Sequence, residues 1–334
     1  MSTESHGLHG WRPGADLATL RLRAELLARI RAFFAARDVL EVETPLLSAA
    51  AITDPNLASF ATTYSGPGPR YGQTLYLHTS PEFPMKRLLA AGSGCIYQIT
   101  RVFRDGEAGR RHNPEFTLLE WYRIGFDHHQ LMAEVAELAT VLLNDRLALA
   151  EPEWLSYREA FERHLGLNPH RATVAELTVC AEWQGVPIPS GMPTDDVDPW
   201  LDLLLTQRLE PHLGQGRLCF LYDYPASQAA LARLRPGDPP VGERFELYLD
   251  GVELANGFHE LGDAVEQRQR FAAENAARQA RGLPVMPVDE NLLAALGAGL
   301  PDCAGVALGI DRLIMLAAGK KALAEVLAFP FEQT

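Results

Sequence analysis

Strand-forming segments sit near the two ends of this chain, and a long, mainly helical stretch separates them. Residues 95–104 and 115–123 form the first cluster; 217–223, 243–249 and the run after Asp250-Gly251 form the second. Asp250-Gly251 between two apolar runs is a strong signal for a two-residue β-hairpin. Strands joined this way are antiparallel, whereas a parallel sheet needs a helical crossover after nearly every strand. The order predicts an α+β fold, a mostly antiparallel sheet flanked by helices. Residues 128–148 and 156–213 look mainly helical, with Pro/Gly breaks at 185–193. The expected organisation is a flexible tail at 1–15 and a single domain at 16–334 with a helical insertion at about 128–213. Within that domain, 17–37 carry apolar residues at helical spacing behind Asp16 as N-cap. A short apolar segment, 39–42, ends at Thr44-Pro45; 48–72 reads as loop, Leu75-Tyr76-Leu77 as strand, and 82–91 and 263–281 as helices. A last strand-to-helix unit covers 305–318.

Composition excludes several classes. The 334 residues are 47% hydrophobic and 22% charged, the profile of a folded globular protein. Thirty Lys+Arg against 43 Asp+Glu leave a net charge of −13, a poor general surface for nucleic acid, so tRNA is not the expected partner. A local basic cleft remains compatible with that charge. The four cysteines form no CxxC pair, and the histidines show no zinc spacing around them. Incidental thiols in a reducing cytoplasm are expected, not disulfides or a structural metal. The first 14 residues have no apolar h-region, and no uncharged apolar run approaches ~20 residues, so neither a leader nor a membrane span is expected. No GxxxxGK[ST] is present, and no GxGxxG follows a strand. Any use of ATP must therefore do without a P-loop or Rossmann fingerprint.

Four constellations carry chemistry. Between 101 and 112, Arg101, Arg104, Arg110, Arg111 and His112 concentrate positive charge in a hairpin loop of an acidic protein. Arginine forks suit phosphate oxygens; a solvated charged turn is the plain alternative. Next, alternation puts Phe116, Leu118, Glu120 and Tyr122 on one strand face. A carboxylate among apolar residues needs a partner, either a cationic ligand or a buried ion pair. Third, pairing across Asp250-Gly251 sets Leu249 opposite Val252 and Tyr248 opposite Glu253, leaving Glu246 diagonal to Glu253. Two such carboxylates repel unless a cation sits between them or both are solvated; a hard cation such as Mg²⁺ is the natural filler. Asn256 and Glu260 continue the polar run past Gly257, where a bulge would re-aim them. Finally, Gly305 to Leu313 reads as a buried strand entering a helix, with Arg312 near its start. That is the wrong end for a cation on dipole grounds unless it holds an anion; a surface arginine is the alternative.

Together these elements resemble class II aminoacyl-tRNA synthetases of the lysyl type. The arginine hairpin is similar to motif 2, 305–312 to motif 3, and 17–45 to motif 1, the family's dimerisation element. The resemblance spans about 16–330 and rests on Thr79-Ser80-Pro81-Glu82, His112-Asn113-Pro114-Glu115-Phe116, Glu253 to Glu260, and Gly309-Ile310-Asp311-Arg312. It implies a class II synthetase catalytic fold, a homodimer, and ATP and Mg²⁺ as cofactors. Within the family it is closest to short paralogues that attach lysine or (R)-β-lysine to elongation factor P. The resemblance assigns Arg104 and Arg312 to catalysis. Arg104, Asp105, Gly106, Glu107, His112, Asn113, Phe116, Glu253, Leu254, Gly309 and Arg312 would bind ATP. Ser80, Pro81, Glu82, Glu120, Tyr122, Asn256, Phe258, Glu260 and Ala307 would bind the amino acid, and Glu246 and Glu253 the metal.

Three departures from the family pattern refine this. Only about 16 residues precede the first helix, so no anticodon-reading domain is expected. The family's Glu two residues after the motif 2 arginine is Gly106 here, with Glu107 one later; either Glu107 takes its role or backbone does. Ala307 stands where the tRNA enzymes usually have Gly, and one methyl in a packed pocket shifts discrimination by ~1–3 kcal/mol. The expected activity is ATP-dependent ligation of (R)-β-lysine, or lysine, to a lysine side chain of elongation factor P. A truncated tRNA-charging enzyme and a non-catalytic amino-acid sensor are the alternatives. A sensor would be expected to have lost some of Arg104, Arg312, Glu246 and Glu253, all of which are present.

Overall fold

Leu22, Leu26, Ile30, Phe33 and Phe34 recur at helical spacing, and in the computed structural model, which describes residues 11–334, they are buried along the helix Leu17–Ala35. Asp16 caps it, its Oδ1 accepting the Thr19 N–H at 2.7 Å. The helix lies on one face of a nine-stranded sheet. The spatial order is Leu40–Glu41, Ile96–Phe103, Glu115–Ile124, Cys303–Gly309, Val252–His259, Val241–Leu249, Arg217–Pro225 and Ala150–Ser156, with Leu234–Arg235 paired to Val241–Leu249. The two terminal pairings are parallel and the inner ones antiparallel. This is the α+β arrangement that the strand clustering predicts.

Alternation along each strand divides core from site. On Glu115–Ile124, Leu119 and Trp121 join the main core with residues of the helices Leu17–Ala35, His128–Leu143 and Ile310–Ala317. Phe34 stacks on Tyr97 with centroids 4.4 Å apart and meets Trp121 edge-on at 5.4 Å. Phe116, Leu118, Glu120 and Tyr122 take the other face. Register carries that face across the sheet: Glu120 pairs with Ala307, Ala307 with Asn256, and Asn256 with Glu246. One row over, Tyr122 pairs with Gly305, Gly305 with Phe258, and Phe258 with Arg244.

Leu249 pairs with Val252 and Tyr248 with Glu253, as the hairpin signal predicts. Leu247, however, pairs with Ala255, so Leu254 is an extra residue. The bulge therefore lies before Gly257, not after it. Its effect is large, because one inserted residue reverses the parity of all that follow. Without it Glu253 would share a face with Ala255 and Gly257; with it Glu253, Asn256 and Phe258 share one, while Leu254 and Ala255 turn into the core.

Several expectations need correction. The segment 128–213 is not wholly helical: Ala150–Ser156 is an edge strand of the main sheet. Pro152 hid it, and Pro is tolerated there because the edge position and a register shift between Ala150 and Glu153 leave its missing N–H unneeded. The helices Tyr157–Leu165, Val174–Trp183 and Asp198–Leu204 then pack in a second core cluster. The presumed loop 48–72 contains Ala61–Thr63, which forms a small sheet with Leu47–Ser48 and Thr74–Leu77. A helix Glu290–Gly299 was not expected; it packs against Glu82–Ala90. Of the presumed tail, residues 1–10 lie outside the described residues. Gly14 and Ala15 are not free: their N–H groups donate to Ala328 and Leu327 carbonyls at 2.9 and 3.0 Å. Among the described residues, no helix is long and apolar enough to cross a membrane.

Asp311 ties the layers together. It is 2% exposed, forms an ion pair with Arg23 of the first helix, and accepts the Thr117 N–H at 2.8 Å. Replacing it strands a guanidinium and a backbone donor in the interior. Asp311→Ala is expected to cost about 3–5 kcal/mol, measured by urea unfolding; a loss below ~1 kcal/mol would contradict this role.

Candidate active site

The site face borders a cavity of about 400 Å³. One wall is the arginine hairpin. Arg104 ends the strand Ile96–Phe103, and its N–H donates to the Pro114 carbonyl at 2.8 Å, fixing the base of the loop. Its guanidinium lies 5.1 Å from the Phe116 ring centroid and 3.6 Å from Glu107 Oε1. Gly106 has φ +81°, a left-handed conformation that glycine adopts cheaply. After that turn Glu107 lines the cavity, while Asp105 and Gly106 remain exposed on the turn and do not line it.

Arg312 sits in the first turn of Ile310–Ala317, behind Gly309 as N-cap. It is held from several sides. Its Nη1 donates to the Glu253 carbonyl at 2.9 Å and to Glu253 Oε2 at 3.2 Å, and its Nε donates to the Arg111 carbonyl at 3.2 Å. Its Nη2 donates to His112 Nε2 at 2.9 Å. Burial, then the charge of Arg312, hold the His112 ring below the usual histidine range, so it can accept that bond as a neutral imidazole. Leu254 and Gly309 also line the cavity. Asn113 lines it too, but its amide is committed elsewhere: Nδ2 donates to the Glu115 carbonyl at 2.6 Å and Oδ1 accepts the Phe331 N–H at 3.0 Å.

Across the cavity stand carboxylates. Glu246 accepts the Tyr248 hydroxyl at 2.6 Å and pairs with Arg244. Glu253 is raised above the usual carboxylate range by its protein surroundings and then by Glu246, against the pull of Arg312. Glu210, from the insertion, joins them: burial, then Glu246 and Glu253, push it up to about 7. Three crowded carboxylates, Glu253 and Glu210 among them raised above the usual range, are a donor set suited to a hard divalent cation.

Behind Ala307 lies an acidic compartment. Ser80 Oγ and the Tyr122 hydroxyl each donate to Glu120 at 2.7 Å, and Ser80 Oγ accepts the Glu82 N–H at 3.0 Å. Pro81 caps the helix Glu82–Ala90, aiming Glu82 inward. Lys86, one turn on and 2% exposed, places Nζ 2.6 Å from Glu82 and 2.6 Å from Glu260. Burial is the largest influence on Lys86 and disfavours its charge, but Glu260 and Glu82 outweigh it and hold the ammonium. One ammonium does not balance three carboxylates. Burial, then Glu82, push Glu120 up to about 8; burial, partly offset by Lys86, leaves Glu260 at about 7. The compartment is short of positive charge. Its width depends on Gly305, where an added Cβ would meet Tyr122 Cε1 at 2.3 Å and Glu260 Oε1 at 2.4 Å.

Asn256 and Ala307 line the cavity. Phe258 does not, and packs instead against the cluster of Leu231 and Phe271. The sequence reading missed Lys86, Arg244 and Glu210. Lys86 was visible in principle as the i+4 partner of Glu82, and Arg244 as the same-face neighbour of Glu246 two residues away. Glu210 comes from the insertion and has no local signal.

Residues 10–333 match the family described as tRNA synthetases class II (D, K and N). A Vibrio cholerae protein named elongation factor P–(R)-beta-lysine ligase is 54% identical over 321 residues, 96% of this chain and 98% of that protein. Proteins of the same name from Vibrio vulnificus and Salmonella paratyphi B are each 52% identical, over 96% and 97% of this chain and 98% of their own length. With a family match that spans the whole sheet and both walls of the cavity, the chain belongs to the class II tRNA synthetases.

Proposed function

We propose that this chain is an ATP-dependent ligase that activates (R)-β-lysine, and less well lysine, and transfers it to a lysine side chain of elongation factor P in the cytoplasm. The names of the relatives support the substrates. The observation that carries the reading is the acidic compartment, short of positive charge, beside an arginine-walled cavity, which suits a diamino acid next to a nucleotide.

In this reading Glu82, Glu120 and Glu260 take the substrate's ammonium groups, and Asn256 and Ala307 set its position along the floor. The substrate carboxylate attacks the α-phosphorus of ATP in line. A mixed anhydride forms and pyrophosphate leaves. Arg104 neutralises charge on the reacting phosphate, Arg312 neutralises the leaving side, and Phe116 stacks on the adenine. Glu246 and Glu253, with Glu210 near them, would hold Mg²⁺, which when bound supplies positive charge to the phosphate oxygens. In the second step the acceptor ε-amine attacks the activated carbonyl carbon, an amide forms, and AMP departs. No protein nucleophile is needed. A homodimer is part of the proposal, supported by the motif 1 likeness of 17–45 and by Leu40 and Leu47, which are about half exposed at and just beyond the edge strand.

The direct test supplies protein, ATP, either amino-acid isomer, and elongation factor P or tRNA, and reads mass gain by mass spectrometry. One added residue on the factor and none on tRNA is expected; gain on tRNA alone would overturn the reading. Ala307→Gly should move the ratio of pyrophosphate-exchange efficiencies toward α-lysine by ~10–200-fold. An unchanged ratio would remove the steric account.

The acidic compartment also sets a pH dependence. Glu120 and Glu260 ionise only near about 8 and about 7, and an ammonium ligand needs them ionised. Affinity for the amino acid should rise with pH through this window, with proton release on binding at pH ~7. Calorimetry in two buffers of different ionisation enthalpy checks this, and identical heats would count against it. In the free chain the same raised values mean that the native state holds more protons than the unfolded one. Their contribution to stability is therefore fully present below the ordinary carboxylate range and lost as pH rises through 7–8.

A further inference from the structure

The sheet face opposite the cavity holds a second polar cluster that the ligase reading does not use. Glu243 and His259 alternate with the site-facing Arg244 and Phe258, so they point toward the helix His128–Leu143. His128, the first residue of that helix, is 2% exposed, and both of its ring nitrogens are buried without a hydrogen-bond partner. A buried imidazole left in that condition costs stability unless something binds it. One nitrogen of each histidine and one Glu243 oxygen lie within 4.8 Å of one another. His259 Nδ1 is 2.6 Å from Glu243 Oε2, and its Nε2 is 3.0 Å from Asp302 Oδ1. A histidine with one nitrogen in a ligand cluster and the other on an outer carboxylate has the orientation of a metal ligand. Asp223 Oδ1, also buried and unpartnered, is 3.6 Å from His128 Nε2.

We propose that His128, Glu243 and His259 form a binding site for one zinc-class divalent ion, with Asp223 as its fourth ligand. Two imidazoles with carboxylates favour zinc-like ions over Mg²⁺. Tetrahedral bonds of ~2.0–2.2 Å place ligand atoms about 3.4 Å from one another, so His259 Nδ1 and Glu243 Oε2, now 2.6 Å apart, must separate to admit the ion while the His128 ring rotates toward them. No cavity described above opens onto the cluster, so the ion is structural: it joins the first turn of a core helix to three strands. The exposed Asp302 and its partner Arg233, 2.7 Å apart, mark the solvent side. Arg235 is the competing cation, paired with Asp223 and 3.8 Å from Glu243. The metal-free alternative is a His128–Asp223 hydrogen bond and a His259 hydrogen-bonded to both Glu243 and Asp302.

The test uses the full chain, stripped by chelator and titrated with Zn²⁺ against a chromophoric competitor in excess Mg²⁺, which masks the carboxylates of the cavity. One equivalent should bind to the wild type and raise its melting temperature. His128→Asn and His259→Asn should each weaken it by at least ~10–100-fold, the range seen even for outer partners of metal ligands. Should either variant fold poorly, wild-type crystals grown with Zn²⁺ should give an anomalous peak between the three side chains. No tight equivalent in the wild type, equal affinity in folded variants, or a peak confined to the cavity would overturn the proposal.

Discussion

The parity of one strand governs the site. Strands turn successive side chains to opposite faces, so which residues meet a ligand depends on counting, and the count changes at Leu254. That inserted residue puts Glu253 and Asn256 on one face although three positions separate them, and sends Leu254 and Ala255 into the core between them. The same parity directs Glu246 to the cavity and Glu243 behind the sheet. A continuous ladder would have left Glu253 on the cavity side with a small apolar residue and a glycine for company, and buried Asn256 among hydrocarbon.

Charge is then sorted along the cavity. Arginines from the hairpin and from the last helix face the phosphate end. Carboxylates from the two central strands and the insertion gather across from them, and a further set lies behind Ala307. The protein supplies some counter-charges itself, Arg244 to Glu246 and Lys86 to Glu82 and Glu260, but not enough. Glu120, Glu210 and Glu260 are left reluctant to ionise. An unliganded chain in this condition is electrostatically frustrated in a directed way, because the relief it lacks has the sign of an amine and a metal ion.

Much of this was legible in the sequence where chemistry is local. The Asp250-Gly251 turn fixes its own pairing, the alternation of Phe116 to Tyr122 gives the site face, and the crowding of arginines around 101–112 marks one wall. What was hidden depended on distance or on context. The strand Ala150–Ser156 carries a proline that argues against a strand unless it lies at an edge, and edges are a property of the finished sheet. The bulge at Leu254 leaves no mark in composition. Glu210, and the meeting of His128 with Glu243 and His259, arise only when segments far apart in the chain are brought together. Asn113 lines the cavity where its motif places it, and its amide also ties that wall to the backbone of Glu115 and Phe331, a tie no local signal announces.

Gly305 has a consequence of its own. The breadth of the acidic compartment is set there by an atom that is missing, since the space a methyl would fill already belongs to Tyr122 and Glu260. Tolerance to change in this region is thus lopsided. Drift at the rim alters how the chamber is approached, whereas the smallest possible side chain at 305 evicts one of the groups that make it a chamber.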